Sequence, residues 1–390
     1  MAIEAAGAAA LAAWLYLLVG RGGFWRMKGG AGASAWQTRS LGGTGAFACQ
    51  PTTVVAIIPA RNEAPVVARA VDSLAEQRYA GRFHIVLVDD ASEDGTAEAA
   101  RSAAPAERLT VLRGAPLPEG WTGKLWAVSQ GVEEAARFSP EYLLLTDADI
   151  VHAPEVLTKL VALAEEGAYD LVSWMVELRC VSLAERVLIP AFVFFFLLLY
   201  PPAWIRNPRF RTAGAAGGCM LIRRRMLERI GGMARIRGEL IDDCALARAV
   251  KDAGWRVWLG LSAESRSIRE YGSFGEIGRM ISRTAFTQLR HSLVLLAATL
   301  AGLALTFFAP PVAAVRGSLT GLAAWALMAA MYAPALRLYG RSLLWAPLLP
   351  LVAMFYAGAT IHSAWAWMRG AGGMWKGRSQ TKLRPEADKT

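Results

Sequence analysis

Cysteine is scarce in this 390-residue chain: there are four, at Cys49, Cys180, Cys219 and Cys244, and none has CxxC spacing. That argues against a disulfide framework and against a zinc site, and suits a reducing compartment for the globular part. No GxGxxG follows the first strand-like run, and no GxxxxGK[ST] occurs. Both glycine-rich phosphate cradles are therefore missing, so any nucleotide must be held by other groups. There is also no basic helix with interleaved aromatics, which disfavours nucleic acid as the partner of a chain with net charge +10. The positive charge that a secretory signal carries ahead of its apolar run is absent too, since Arg21, Arg26 and Lys28 come after it.

What is abundant is apolar sequence: 54% of residues are hydrophobic, and the mean hydropathy is +0.31. The excess is concentrated at residues 5–20, around 187–205, and after 292. Residues 1–22 suit an uncleaved N-terminal membrane anchor whose basic flank is cytoplasmic; the run is short for a span, which leaves a tilted or a monotopic helix as alternatives. Residues 29–52 are Gly-, Ala-, Ser- and Thr-rich and predict a linker. Stretches 293–313, 319–336 and 343–367 predict C-terminal transmembrane helices over 293–367, followed by a basic tail over 368–390 with Lys376, Arg378, Lys382 and Arg384. The positive charge matches cytoplasmic flanks and anionic lipid, which predicts a multi-pass protein of the cell inner membrane with its globular part on the cytoplasmic side. Three crossings would put the basic tail outside, so either one stretch does not cross or the charge rule is broken here.

From Thr53 the pattern turns to alternating strands and helices. Strands are predicted at Val54–Pro59, Ile85–Val88, Leu109–Leu112, Tyr142–Thr146 and Leu171–Val176, with helical spacing between them. This predicts an α/β fold with a doubly wound, mostly parallel sheet. Parallel strands share one direction, so the loops bearing Pro59, Arg61 and Glu63, then Asp89 and Asp90, then Asp147 and Asp149, must converge on one sheet edge. Asp147 and Asp149 follow a buried apolar run and repel each other unless a cation lies between them; a divalent metal, Mg2+ or Mn2+, would supply that charge. His152 is a possible third ligand.

Later segments carry less specific signals. Residues 187–205 are either an interfacial or re-entrant helix, or a buried core helix. Ala213–Met220 contains Gly217 and Gly218 and permits close backbone approach of a ligand or another chain segment. Asp242 and Asp243 open a helix, where carboxylates are favoured by the dipole in any case. Residues 271–290 predict a single amphipathic interface helix with Phe274, Ile277, Ile281, Ala285 and Leu289 on one stripe.

With these motifs in place, residues 53–290 resemble a family 2 glycosyltransferase with a GT-A catalytic domain. The resemblance rests on IIPARNE (57–63), VDDASEDGT (88–96), GWTGKLWAVSQG (120–131), LTDADI (145–150), GGCMLIRR (217–224), IDDCAL (241–246) and RTAFTQLRHS (283–292). GGMWKGR at 372–378 resembles the ends of membrane-bound members, and the chain is most similar to those associated with hopanoid biosynthesis. The resemblance implies that Asp90 contacts a uracil base and that Asp147 and Asp149 bind metal and sugar nucleotide. It puts Lys124 beside the nucleotide, with Pro59, Arg61, Glu63 and Asp89 in the nucleotide-sugar site. It makes Asp243 the general base, and puts Gly217, Gly218, Asp242 and Arg283 near the acceptor or diphosphate.

Two departures from the family pattern stand out. Asp242 replaces a glutamate, and Met280–Thr284 keeps only the arginine of the processive QxxRW motif. The resemblance thus implies inverting, metal-dependent transfer of a single sugar from a nucleoside diphosphate sugar, a UDP-sugar, to a hopanoid-linked lipid acceptor. The alternatives are a polyprenyl-phosphate glycosyltransferase and, further away, a nucleotidyltransferase or a non-catalytic membrane scaffold.

Overall fold

The computed structural model describes residues 2–27, 52–370, 372–375 and 378–379. The linker expected over 29–52 lies outside the described residues except for Thr52, and so do Lys28, Cys49, Lys376, Lys382 and Arg384. The chain divides into two units. An α/β unit contains the stretch up to Arg179 and Trp204–Arg269; a helical unit contains the N-terminal helix, Cys180–Ala203 and Glu270–Gly373.

The α/β unit is built on an eight-stranded sheet. Its strands are β1 (Val54–Ala60), β2 (Phe83–Asp89), β3 (Leu109–Arg113), β4 (Tyr142–Thr146), β5 (Ile150–His152), β6 (Leu171–Glu177), β7 (Cys219–Arg223) and β8 (Val257–Ser267), in the order β3-β2-β1-β4-β7-β6-β8-β5. β1 pairs in parallel with β2 and β4, and β2 with β3. β7 runs antiparallel to both β4 and β6, while β6 and β8 are parallel. The apolar runs of β1 and β4 are buried along their whole length, as a sheet covered on both faces requires.

Alternation along β1 shows the two faces. Ala56 and Ile58 share a core with Val67 and Leu74 of helix Ala64–Ala75 and with Leu160 of helix Val156–Glu166. Ile57 faces the other way, towards helix Gly123–Ala135. There a Cβ on Gly131 would stand 2.5 Å from Ile57 Cγ2, so the helix lies this close only because position 131 is glycine. β1, β2 and β4 end on one edge, and their following loops carry the polar groups of the predicted site.

Among the described residues, five stretches are long and apolar enough to cross a membrane: Ile3–Gly20, Leu183–Arg206, Leu293–Val315, Leu319–Leu338 and Leu343–Met368. Leu183–Leu199 opens with a capping box between Ser182 and Glu185. Buried Glu185 also accepts from the Tyr271 N–H at 2.8 Å. The continuous amphipathic helix expected over 271–290 is two helices, Phe274–Ser282 and Ala285–Gln288, because Thr284 leaves helical geometry at φ −124°.

The third span is also interrupted. A π turn at Ala304–Phe308 precedes Pro310 and Pro311. Pro310 has no N–H for the Thr306 carbonyl one turn back. Trp14 Nε1 donates to that carbonyl instead, at 2.7 Å.

Candidate active site

The loops after β1 and β2 are tied to each other. The Asn62 N–H donates to Ser92 Oγ at 2.9 Å, the Glu93 N–H to Asn62 Oδ1 at 3.0 Å, and the Glu63 N–H to Thr96 Oγ1 at 2.8 Å. Asn62 and Ala91 both adopt φ 51°, a left-handed conformation that these bonds hold in place. Arg61 donates to the Asp90 carbonyl and stands 3.6 Å from its carboxylate. Asp89 accepts from the Ser92 N–H at 3.3 Å, so the turn after β2 is closed by the acidic residue itself.

Lys124 is the hinge of the next cluster. It lies in the first turn of Gly123–Ala135, whose Thr122 cap accepts from the Leu125 N–H. Its Nζ stands 2.9 Å from Asp147 Oδ1 and 3.1 Å from Asp242 Oδ2, joining the loop after β4 to the helix Asp242–Asp252. Asp243 Oδ2 accepts from the Gly217 N–H at 2.9 Å and its Oδ1 from the Cys244 N–H at 2.7 Å. One oxygen therefore serves the next residue of its own helix, which has no side-chain cap, and the other the glycine loop. Pro59, Lys124, Asp147, Gly217 and Asp242 line one cleft, floored by Val128, Leu145 and Met220, in which about 10 Å3 remains open. Gly218 plays a packing role: a Cβ there would come within 3.2 Å of Val176, and its carbonyl accepts from Thr146 Oγ1.

Burial and neighbouring charge shift the titration of this cluster. Burial, then the Asp242 charge, push Asp243 up to about 6, against the pull of Lys124 and the two N–H donors. Burial likewise raises Asp147, helped by Asp149 and opposed by Lys124. Burial alone would lower Lys124, but Asp147 and Asp242 outweigh it and hold the ammonium above its ordinary value. A carboxylate that titrates near neutrality is suited to accept a proton.

The residue that sequence reasoning missed is Arg269, just beyond β8. Its Nε donates to Asp149 Oδ2 at 2.7 Å and its Nη2 to Glu63 Oε1 at 2.6 Å. Ser267 Oγ reaches the same Asp149 oxygen at 3.4 Å. Nothing local singles out Arg269 among 42 basic residues; the pairing of β8 with β5 brings it beside Asp149.

His152 is not a third ligand. It is buried in β5, with one ring nitrogen on Thr146 and the other on Ser265, and burial pulls it down to about 4. Arg283 belongs to the helical unit, exposed at the C-terminal cap of Phe274–Ser282.

Among the described residues no three His, Cys, Asp or Glu side chains group as a metal cage. Asp147 and Asp149 nonetheless suit a hard divalent ion. Each has one oxygen in an ion pair, Oδ1 with Lys124 and Oδ2 with Arg269, and a second oxygen outside that pair. Mg2+ commonly uses one or two carboxylates and completes its shell with substrate phosphates and water.

A family model described as Glycosyl transferase family 2 matches residues 55–231. The matched stretch includes Arg61, Asp90, Lys124, Asp147, Asp149 and Gly217, while Asp243 and Arg269 come after it in sequence. An N-acetylglucosaminyltransferase of Rhizobium leguminosarum bv. viciae is 35% identical over 113 residues, 28% of this chain and 24% of that protein. An undecaprenyl-phosphate 4-deoxy-4-formamido-L-arabinose transferase of Pseudomonas savastanoi pv. phaseolicola is 36% identical over 124 residues, 30% of this chain and 33% of that protein. The chain thus spans a quarter to a third of the length of these curated relatives. In fold, it is similar to a mannosyltransferase from Pyrobaculum calidifontis solved with GDP-Man and Mn2+. That likeness has a TM-score of 0.53 at 21% identity and covers 93% of this chain and 99% of that one. It agrees with a GT-A fold for the mixed, mostly parallel sheet.

Proposed function

We propose that the chain is a membrane-bound, inverting glycosyltransferase that moves one sugar from a nucleoside diphosphate sugar to a hydroxyl of a lipid acceptor. The observation that carries this reading is Asp243. Its carboxylate is fixed by two N–H donors beside the Lys124–Asp147–Asp242 cluster, and it titrates near neutrality. The acceptor oxygen attacks the anomeric carbon, the bond from that carbon to the diphosphate breaks, and the acceptor proton passes to Asp243. A single displacement, with base and leaving group on opposite faces, inverts the configuration. Lys124 and Arg269 exchange their carboxylate partners for diphosphate oxygens as the donor enters. A divalent metal on Asp147 and Asp149 would act as a Lewis acid towards the leaving diphosphate.

Arg61 holds Asp90 where the sequence resemblance expects a uracil, so a UDP-sugar is the donor proposed. Residues 53–290 form the catalytic region in this reading, with 1–22 as anchor, 187–205 and 271–290 as interfacial segments, and 293–367 as spans. Four stretches apolar enough to cross a membrane, beside the interfacial 187–205, support a multi-pass protein with a lipid as acceptor; an inner-membrane location with the catalytic side in the cytoplasm is the reading of the basic flanks. A hopanoid-linked lipid is the acceptor to try first, on the strength of the sequence resemblance.

A second reading has the phosphate of a polyprenyl phosphate as the nucleophile, which already carries its charge and needs no base. The undecaprenyl-phosphate transferase relative favours it. The test is release of nucleoside diphosphate from a panel of sugar nucleotides by protein in lipid nanodiscs, with and without EDTA and in Asp149→Ala. Release from one donor, abolished by both, supports the transferase; no turnover and no binding of any donor with metal present removes it. Turnover that survives Asp243→Asn favours the phosphate acceptor.

A further inference from the structure

From Arg186 to Leu227 the chain contains no Asp or Glu. Within this run the apolar segment Leu183–Arg206 ends and a loop of the α/β unit begins, residues 207–212. The loop is held shut from beneath by Lys251, whose Nζ donates to the carbonyls of Trp204 (3.0 Å), Ile205 (2.7 Å) and Thr212 (2.7 Å). These three bonds bridge the two ends of the loop and use every donor the ammonium has. No carboxylate takes part; burial, then the charge of Arg248, lower the Lys251 pKa to about 8.

What the clamp presents is cationic and aromatic. Arg209, Phe210 and Arg211 are all exposed at the loop tip, with the Phe210 ring stacked on Trp204 at 4.9 Å and 8°. Arg248 is exposed one turn before Lys251 on the same helix. Arg78, Arg101, Arg137 and Arg224 each find a glutamate, but Arg209, Arg211 and Arg248 make no ion pair with any described residue. Three guanidiniums without an ion pair among the described residues, with a stacked aromatic pair after an apolar segment, match the composition of the bilayer interface on its anionic side.

We propose that the loop Asn207–Thr212, with Arg248, is a docking surface for the headgroups of anionic membrane lipids. In sequence the loop follows directly on the apolar segment Leu183–Arg206. The arginines contact lipid phosphates, and Phe210 and Trp204 supply the amphipathic contact of the headgroup layer. The Lys251 clamp keeps the tip ordered before it meets lipid, so little loop freedom is lost on docking. This does not depend on the transferase reading.

The test is hydrogen exchange of the 204–212 amides in the full chain, in nanodiscs of phosphatidylcholine alone or with about one-third phosphatidylglycerol. Exchange of the tip should slow several-fold in the anionic discs, and 0.5 M NaCl should remove much of the difference, the Debye length then being on the order of 4 Å. Arg209→Gln/Arg211→Gln should abolish the difference while leaving donor binding and melting temperature unchanged. Lys251→Met should speed tip exchange in both disc types and weaken the response to anionic lipid. Equal exchange in the two disc types, or an equal lipid response in the wild type and the double variant, would overturn the proposal. Protection by a trace of polyprenyl phosphate but not by phosphatidylglycerol would also overturn it, assigning the loop to the acceptor instead.

Discussion

The guanidinium of Arg269 sits 2.7 Å from the carboxylate of Asp149, although 120 residues separate them in sequence. With Glu63 on its other side, Arg269 neutralises a carboxylate that the metal reading needs. The acidic edge of the sheet is therefore balanced by cations of the chain itself, Arg269 at Asp149 and Lys124 at Asp147.

Removing Arg269 takes its guanidinium away from Asp149 and Glu63, each about 10% exposed in its side chain. Breaking a fully buried pair costs about 3–5 kcal/mol, and the 31% exposure of Arg269 reduces this to about 1–3 kcal/mol. Arg269→Gln should lower the melting temperature by several degrees in a differential scanning measurement. Mn2+ with a sugar nucleotide should restore part of the loss, because the metal brings positive charge to Asp149 and the nucleotide's phosphates help to hold it there.

Lys124→Met frees Asp147 and Asp242 to repel each other across the cleft and removes a cation from the diphosphate. Steady-state turnover should fall by about 10²–10³-fold, the loss typical of one preorganised electrostatic contact. A variant within threefold of the wild type would show that Lys124 has only a structural role.

Asp243 gives the pH dependence. As a base it must be ionised, so the rate should rise about tenfold per pH unit below about 6 and level off above it. Stability runs the other way. The folded carboxyl titrates above its unfolded value near 4, so the contribution of its protonated form is full below about pH 4 and is lost as pH rises through about 6. A rate profile with its inflection near pH 6, together with a melting temperature that falls between pH 4 and 6 and does so less in Asp243→Asn, checks both signs.

Trp14 closes the one carbonyl that Pro310 leaves open within a candidate span. Trp14→Phe keeps much of the ring contact with Phe307 but leaves the Thr306 carbonyl unsatisfied. The expected loss is about 1–3 kcal/mol, read as a lower melting temperature in detergent; Trp14→Tyr should not restore it unless its hydroxyl reaches the same oxygen.

Much of this was legible in the sequence. β1, β2, β3, β4 and β6 are short apolar runs, and a buried parallel strand has little else to be. The convergence of Arg61, Asp90 and Asp147 on one edge follows from strand direction. β7 was missed because it is five residues long behind a glycine loop and runs antiparallel, which no spacing announces. β8 was missed because its second half, Ser262–Ser267, alternates into polar residues at the sheet margin. With β8 unseen, Arg269 had no address, and Asp149 looked free for metal alone. The interface helix was overextended because an apolar stripe persists through Ala285 and Leu289 while the backbone breaks at Thr284.

The most direct measurement is mass spectrometry of the lipids after reaction with one sugar nucleotide and a divalent metal, in wild type and Asp243→Asn, with hopanoid-containing and polyprenyl-phosphate pools offered separately. Transfer to a lipid hydroxyl by Asp243 predicts one lipid heavier by a single sugar residue, formed with equimolar nucleoside diphosphate and lost in the variant. A product carrying several sugars, or equal yields of a phosphate-linked product from both proteins, would contradict it.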